Sequence, residues 1–103
     1  MPLLRKKLQE VILCLEKIHD QQNPPSLDLL DQIDTLYAQF VGLVNTPVDT
    51  TSTAYDTAVI SMRETAKVAR AAVEDTRKIR KTISRATMAI DHVSELLGRE
   101  ASV

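Results

Sequence analysis

Glycine, cysteine and aromatic residues are scarce in this 103-residue sequence, which has two glycines, one cysteine and no tryptophan. Its aromatic residues are Tyr37, Phe40 and Tyr55. A core must then be built from Leu, Ile, Val and Ala, which suits closely packed helices, whereas small-molecule pockets usually have more aromatic lining. Because Cys14 has no partner, no disulfide can form within the chain, and we expect a reducing, cytoplasmic location.

Long hydrophobic runs are also missing. No stretch approaches eighteen apolar residues, so we expect no membrane span, and the N-terminal residues lack the pattern of a secretory leader. The apolar fraction of 44% and the charged fraction of 26% are ordinary for folded proteins. We therefore expect residues 1–103 to form a single helical domain.

The residues that usually carry chemistry are few. Gly42 and Gly98 cannot form a phosphate-binding loop. Glu16 and His19 have the spacing of one half of a di-iron helical site, but the second Glu-x-x-His pair is absent. Cys14 adjoins an apolar stripe and is typical of a small core residue. We expect no catalytic, cofactor-binding or metal site, and no enzyme.

Two short amphipathic helices are predicted first, over about residues 2–20 and 27–45. Pro2 suits the first turn of helix one, and Ser26 suits the N-cap of helix two. Leu13 and Cys14 widen the apolar arc of helix one, which makes that helix a candidate contact surface. Helix two is the most apolar of the chain, and Gly42 within it indicates close contact or early fraying.

A third helix is predicted over about residues 53–97, because no glycine or proline occurs from Val48 to Leu97. Thr53 and Asp56 resemble a capping box at its start, and Gly98 is a stop signal after its end. The apolar residues recur in steps of three or four, as one face of a helix requires. A helix of that length would span about 65–70 Å.

These lengths predict an all-α, antiparallel up-down-up bundle of two short helices and one long C-terminal helix. Helix two would run back along residues 53–75, so the short helices would cover only half of the long one. The alternative is a four-helix bundle with a break near Thr76, where Asp75 could cap a new helix and residues 77–97 would fold back. The absence of glycine and proline favours the continuous helix.

The uncovered half of such a helix predicts an interface, because exposed aliphatic side chains usually mark a contact with another chain. The predicted interface residues are Ile79, Ile83, Met88, Ile90, Val93 and Leu97. We expect a protein partner, as a homo-oligomer or a helical hetero-partner packed in coiled-coil fashion. The predicted function is a non-catalytic protein–protein interaction module, such as an assembly subunit, adaptor or small chaperone-like protein.

The charges suggest an alternative. No Lys or Arg occurs from Ile18 to Met62, whereas Arg63 to Arg85 contains eight basic residues. Such a strip either is a solvated face or meets an acidic partner or a phosphate backbone. A nucleic-acid-binding regulator using residues 67–85 is the alternative function, although the pI near 6.1 argues against it. The residues of this possible charged contact are Arg70, Arg77, Lys78, Lys81 and Arg85.

Overall fold

The computed structural model describes residues 3–22 and 26–101, and this part of the chain is helical apart from its connections. It measures 44 × 22 × 20 Å. The helices are α1 (Leu3–Gln21), α2 (Leu27–Asn45), α3 (Thr53–Glu74) and α4 (Ile79–Ala101), and a short 3₁₀ turn (Thr76–Lys78) precedes α4. The all-helical class is confirmed.

The predicted continuous third helix is wrong, and the four-helix alternative matches the structure. Asp75 adopts an extended conformation, with φ −139° and ψ 99°, between α3 and the 3₁₀ turn. Its Oδ1 accepts a 3.1 Å hydrogen bond from the backbone N–H of Arg77, and the Arg77 guanidinium contacts both carboxylate oxygens. A side-chain cap therefore reverses the chain where no glycine or proline is available.

The remaining helix boundaries agree with the prediction at most ends. Ser26 is the N-cap of α2, as predicted, and its Oγ accepts from the N–H of Leu29. At α3 the cap is Ser52 rather than Thr53, and its Oγ accepts from Tyr55. Gly98 does not end the last helix, which continues to Ala101. The prediction for Pro2 lies outside the described residues.

The four helices form two antiparallel hairpins that pack side by side. Helix α1 packs against α2 and α3, and α4 also packs against α2 and α3, so α2 and α3 are diagonally opposite. The predicted position of helix two along residues 53–75 is therefore wrong, because α2 lies along α4. The N–H of Leu4 donates to the hydroxyl of Tyr55, which places the starts of α1 and α3 together and makes these helices parallel.

The core differs between the two sides of the bundle. Leucine, isoleucine and valine side chains fill it from α1 and α2, whereas α3 and α4 contribute many alanines that allow close helix approach. The fully buried alanines are Ala58, Ala66, Ala69, Ala72, Ala86 and Ala89. Thr65 is also buried, and its hydroxyl donates to the carbonyls of Ser61 and Arg85.

Two glutamines of α2 fix its register on α4. Nε2 of Gln32 donates to the carbonyl of Ile83 at 2.8 Å and to Thr87 Oγ1 at 3.1 Å. One heptad later, Gln39 makes the same pair of contacts with the carbonyl of Ile90 and Ser94 Oγ, both at 2.9 Å. Each glutamine thus lies beside residues 51 to 55 positions later in the chain, so α2 and α4 run parallel in a defined register.

Gly42 provides close contact between these two helices rather than a fray point. A Cβ atom at residue 42 would lie 3.3 Å from Cδ1 of Leu97, which is tighter than ordinary van der Waals contact. Helix α2 continues through Gly42 to Asn45. The glycine therefore makes room for Leu97 of α4, which the sequence analysis predicts at an interface with another chain.

The Asp75 cap predicts a pH-dependent contribution to stability. Side-chain and backbone hydrogen bonds from Arg77 lower the pKa of Asp75 from its ordinary value of 3.8. The contribution is therefore fully present above pH 3.8 and is lost as the pH falls through the lower, folded-state pKa. We expect Asp75→Ala to lower the melting temperature by a few degrees at neutral pH. In circular dichroism melts the deficit relative to the unmodified chain should shrink in acid.

Asp75→Asn is the matched control, because an amide oxygen can still cap but does not titrate. The melting temperatures of the Asn and Ala variants should differ by an amount that does not change with pH. A deficit of the Ala variant that stays constant into strong acid would show that the carboxylate does not stabilise the turn.

Candidate interaction site

The residues of the predicted interface are mostly covered by the chain itself. Val93 is fully buried, and Ile79, Ile83, Ile90 and Leu97 are partly buried against the same core. The sequence predicts an interface at these five residues because they lack a partner within the chain. That reason is wrong, because α4 folds back against α2 and α3. Met88 alone of the predicted set is strongly exposed, at 47%.

This packing predicts how substitutions on α4 behave. Ile83→Asp places a carboxylate against the core, so we expect it to lower the free energy of unfolding by about 3 kcal/mol. Met88→Asp, on the exposed side of the same helix, should change it by less than about 0.5 kcal/mol. Urea denaturation followed by circular dichroism measures both. Equal stability of the two variants would contradict the packing of α4 against α2.

A second apolar stripe lies on the solvent side of α2. It contains Leu27, Leu30, Asp34, Tyr37, Val41 and Val44, which follow one another in steps of three and four. All six are exposed; Leu27 is 76% exposed and Val41 is 55% exposed. This spacing is the a/d pattern of a helix that packs on another helix, with Asp34 as a single polar member.

Helix α1 extends this surface. Leu13, which is 53% exposed, lines a shallow groove between α1 and α2 together with Tyr37. The Tyr37 hydroxyl donates a 3.2 Å hydrogen bond to Glu16. Partial desolvation and the bond to the negatively charged Glu16 raise the pKa of Tyr37. We call the surface formed by Leu13, Glu16, Leu30, Asp34, Tyr37 and Val41 the front face.

The predicted charged contact is divided by the structure. Arg70 donates to Glu10 of α1 at 3.1 Å, and Arg77 is bound to Asp75. Arg85 contacts Glu64 at 3.4 Å. Lys78, Lys81 and Arg85 line a groove of about 370 Å³ between α3 and α4, and Lys67 and Glu64 line it from α3. Within the described ranges, no carboxylate lies in ion-pair distance of these three lysines.

Apolar side chains continue this groove toward the middle of the bundle. Ile60 of α3 is 54% exposed, and it lines the next stretch of the same helix pair with Met88 and Arg85. We call the surface formed by Ile60, Lys67, Lys78, Lys81, Arg85 and Met88 the back face. The front face lies on the α1/α2 hairpin and the back face on the α3/α4 hairpin, so they are on opposite sides of the bundle.

The sequence contains a sign of the front face that the overall hydrophobicity of helix two does not reveal. Leu30, Tyr37, Val41 and Val44 contribute to that hydrophobicity together with the core residues of the same helix. The heptad spacing from Leu27 to Val44 separates them from the buried residues, which include Leu29, Leu36 and Leu43. A helix with two apolar stripes predicts a second contact in addition to the core.

The remaining candidates for chemistry are Cys14 and groups of metal-binding side chains. Cys14 is half-buried, and burial raises the pKa of its thiol, which disfavours the reactive thiolate at neutral pH. In residues 3–22 and 26–101, no three His, Cys, Asp or Glu residues are grouped so as to hold a metal ion. The helices in this part of the chain are too short or too polar to cross a membrane.

Comparisons with protein-family models, with curated proteins and with solved structures gave no match.

Proposed function

We propose that the protein is a non-catalytic helical interaction module, such as an assembly subunit or adaptor, that binds a protein partner through the front face. The observation that carries this proposal is the exposed heptad stripe of α2 on a bundle whose core is already complete. The proposed role is the one predicted from the sequence, but the proposed contact surface lies on α2 and α1 instead of α4.

The exposed side chains of the front face lie where a partner can cover several of them at once. Covering a large aliphatic or aromatic side chain is worth about 1.5–3 kcal/mol when burial is complete, and the front-face residues are about half exposed. Several of them adjoin one another in a stripe with helical spacing, whereas scattered exposed hydrophobic residues need no partner. A helix from another molecule, packed along α2, fits this pattern.

Substitution on the stripe tests the proposal. Tyr37→Asp combined with Val41→Asp should abolish an association that the unmodified chain makes and should preserve helicity, because both residues are exposed. Sedimentation analysis measures self-association, for which the unmodified chain would exceed the monomer mass of 11.5 kDa. Affinity capture from extracts of the source cells measures hetero-association.

Thr35→Asp is the control, because Thr35 is exposed on α2 and lies about 100° around the helix from Asp34. The control should retain the association that the stripe variant loses. If the unmodified chain is monomeric and captures nothing that depends on the stripe, the proposed function is rejected.

The back face supports a second candidate, a nucleic-acid-binding regulator, because no carboxylate of the described residues lies in ion-pair distance of its lysines, which could contact phosphates. The net charge of −1 and the lack of an aromatic residue in the groove favour the protein partner. If nucleic acid is the ligand, binding should weaken steeply with salt and with Lys78→Ala plus Lys81→Ala. Absence of binding at low salt in a fluorescence anisotropy titration rejects this candidate.

A further inference from the structure

The two candidate faces are chemically complementary. The front face combines apolar side chains with Glu16 and Asp34; α2 contains no basic residue, and Lys17 of α1 is exposed one turn from Leu13. The back face combines Ile60 and Met88 with three lysines and Arg85, and Glu64 lies among them, paired with Arg85. A surface that is acidic along α2 and a surface that is predominantly basic thus occupy opposite sides of one small bundle.

The positions of these groups along the bundle also correspond. The glutamine contacts place each α2 residue beside residues 51 to 55 positions later in α4. By this register, Asp34 lies at the height of Arg85, and Tyr37 lies at the height of Met88. Leu30 lies at the height of Lys81. Asp34 and Tyr37 therefore each have a counterpart of suitable chemistry at their own height on the back face.

We infer that the partner of the front face is the back face of a second copy of this chain. This inference rests on the proposed function and names its partner. A copy displaced sideways, without sliding along the helix axis, places its α2 over α4 of its neighbour. Asp34 then approaches Lys81 and Arg85, and the side chains of Tyr37 and Val41 cover Met88.

Such a contact joins two different surfaces, so it leaves one front face and one back face free on every dimer. Contacts of this kind continue into rings when the rotation closes and into filaments when it does not. The association should depend on concentration and weaken with salt, because exposed charge pairs are screened.

Complementary blocked variants test this geometry. The front-blocked variant carries Tyr37→Asp and Val41→Asp, and the back-blocked variant carries Lys81→Glu and Met88→Asp. Each should sediment as a monomer of 11.5 kDa on its own. Mixed in equal amounts they should form a dimer and nothing larger, because each retains the face that the other lacks. The Thr35→Asp control should assemble like the unmodified chain.

A charge exchange provides a second test with single exposed substitutions, in case a double variant loses helicity. Asp34→Lys and Lys81→Glu should each weaken self-association by placing like charges in contact. Their mixture should recover large assemblies, because both alternating contacts then pair opposite charges. Recovery in the mixture is not expected from a general loss of stability.

The outcomes separate the inference from the proposed function. If the unmodified chain associates but the blocked variants do not rescue one another, the face-to-back contact is wrong and the interaction module stands. If one blocked variant still forms dimers alone, the contact joins identical faces, and the inference is likewise rejected. If the unmodified chain is monomeric at all concentrations, self-association is excluded, and stripe-dependent capture decides the proposed function.

Discussion

The arrangement of the bundle depends on the interruption of the third helix at Asp75. Because α4 folds back there, its apolar side chains meet α2, and the carbonyls of Ile83 and Ile90 become available to Gln32 and Gln39. Without the break, α2 would have no parallel neighbour to set its register. Asp75 makes the reversal possible by supplying the acceptor that the first turn of a new helix otherwise lacks.

Periodicity predicted the helical class, the span of α2 and the start of α3, because these depend on local pattern and capping. The break was predicted only as an alternative, because Asp75 can cap a new helix while the residues from Glu74 to Lys78 are also compatible with a continuous one. Energies decide the matter: ending a helix sacrifices a few hydrogen bonds worth about 1 kcal/mol each. Val93 and Leu96 are fully buried and return about 1.5–3 kcal/mol each, and the partly buried Ile79, Ile83, Ile90 and Leu97 return a part of that each. The uncovered stripe that predicted an interface was therefore the stronger indication of a fold-back.

Helix α2 shows why its exposed stripe was harder to predict. Gln32 and Gln39 are buried to 8% and 6% relative exposure, while Leu27 remains 76% exposed on the same helix. Hydrophobicity alone would rotate α2 to cover Leu30 and Val41 and expose the glutamines. The paired donations to α4 oppose that rotation, since they place both amides at fixed positions along a neighbouring helix. The buried glutamine amides thus specify the orientation of α2, and the cost is that several apolar side chains remain exposed.

The same orientation determines where the charges lie. The acidic segment from Ile18 to Met62 and the basic segment from Arg63 to Arg85 belong largely to different hairpins. If α2 packed beside α3, many of these charges would face one another and be neutralised within the molecule. Because α2 and α3 are diagonal, the front-face carboxylates and back-face lysines point outward on opposite sides. A charge asymmetry of the sequence thereby becomes a difference in charge between two sides of the folded bundle, and the proposed contact between copies rests on that difference.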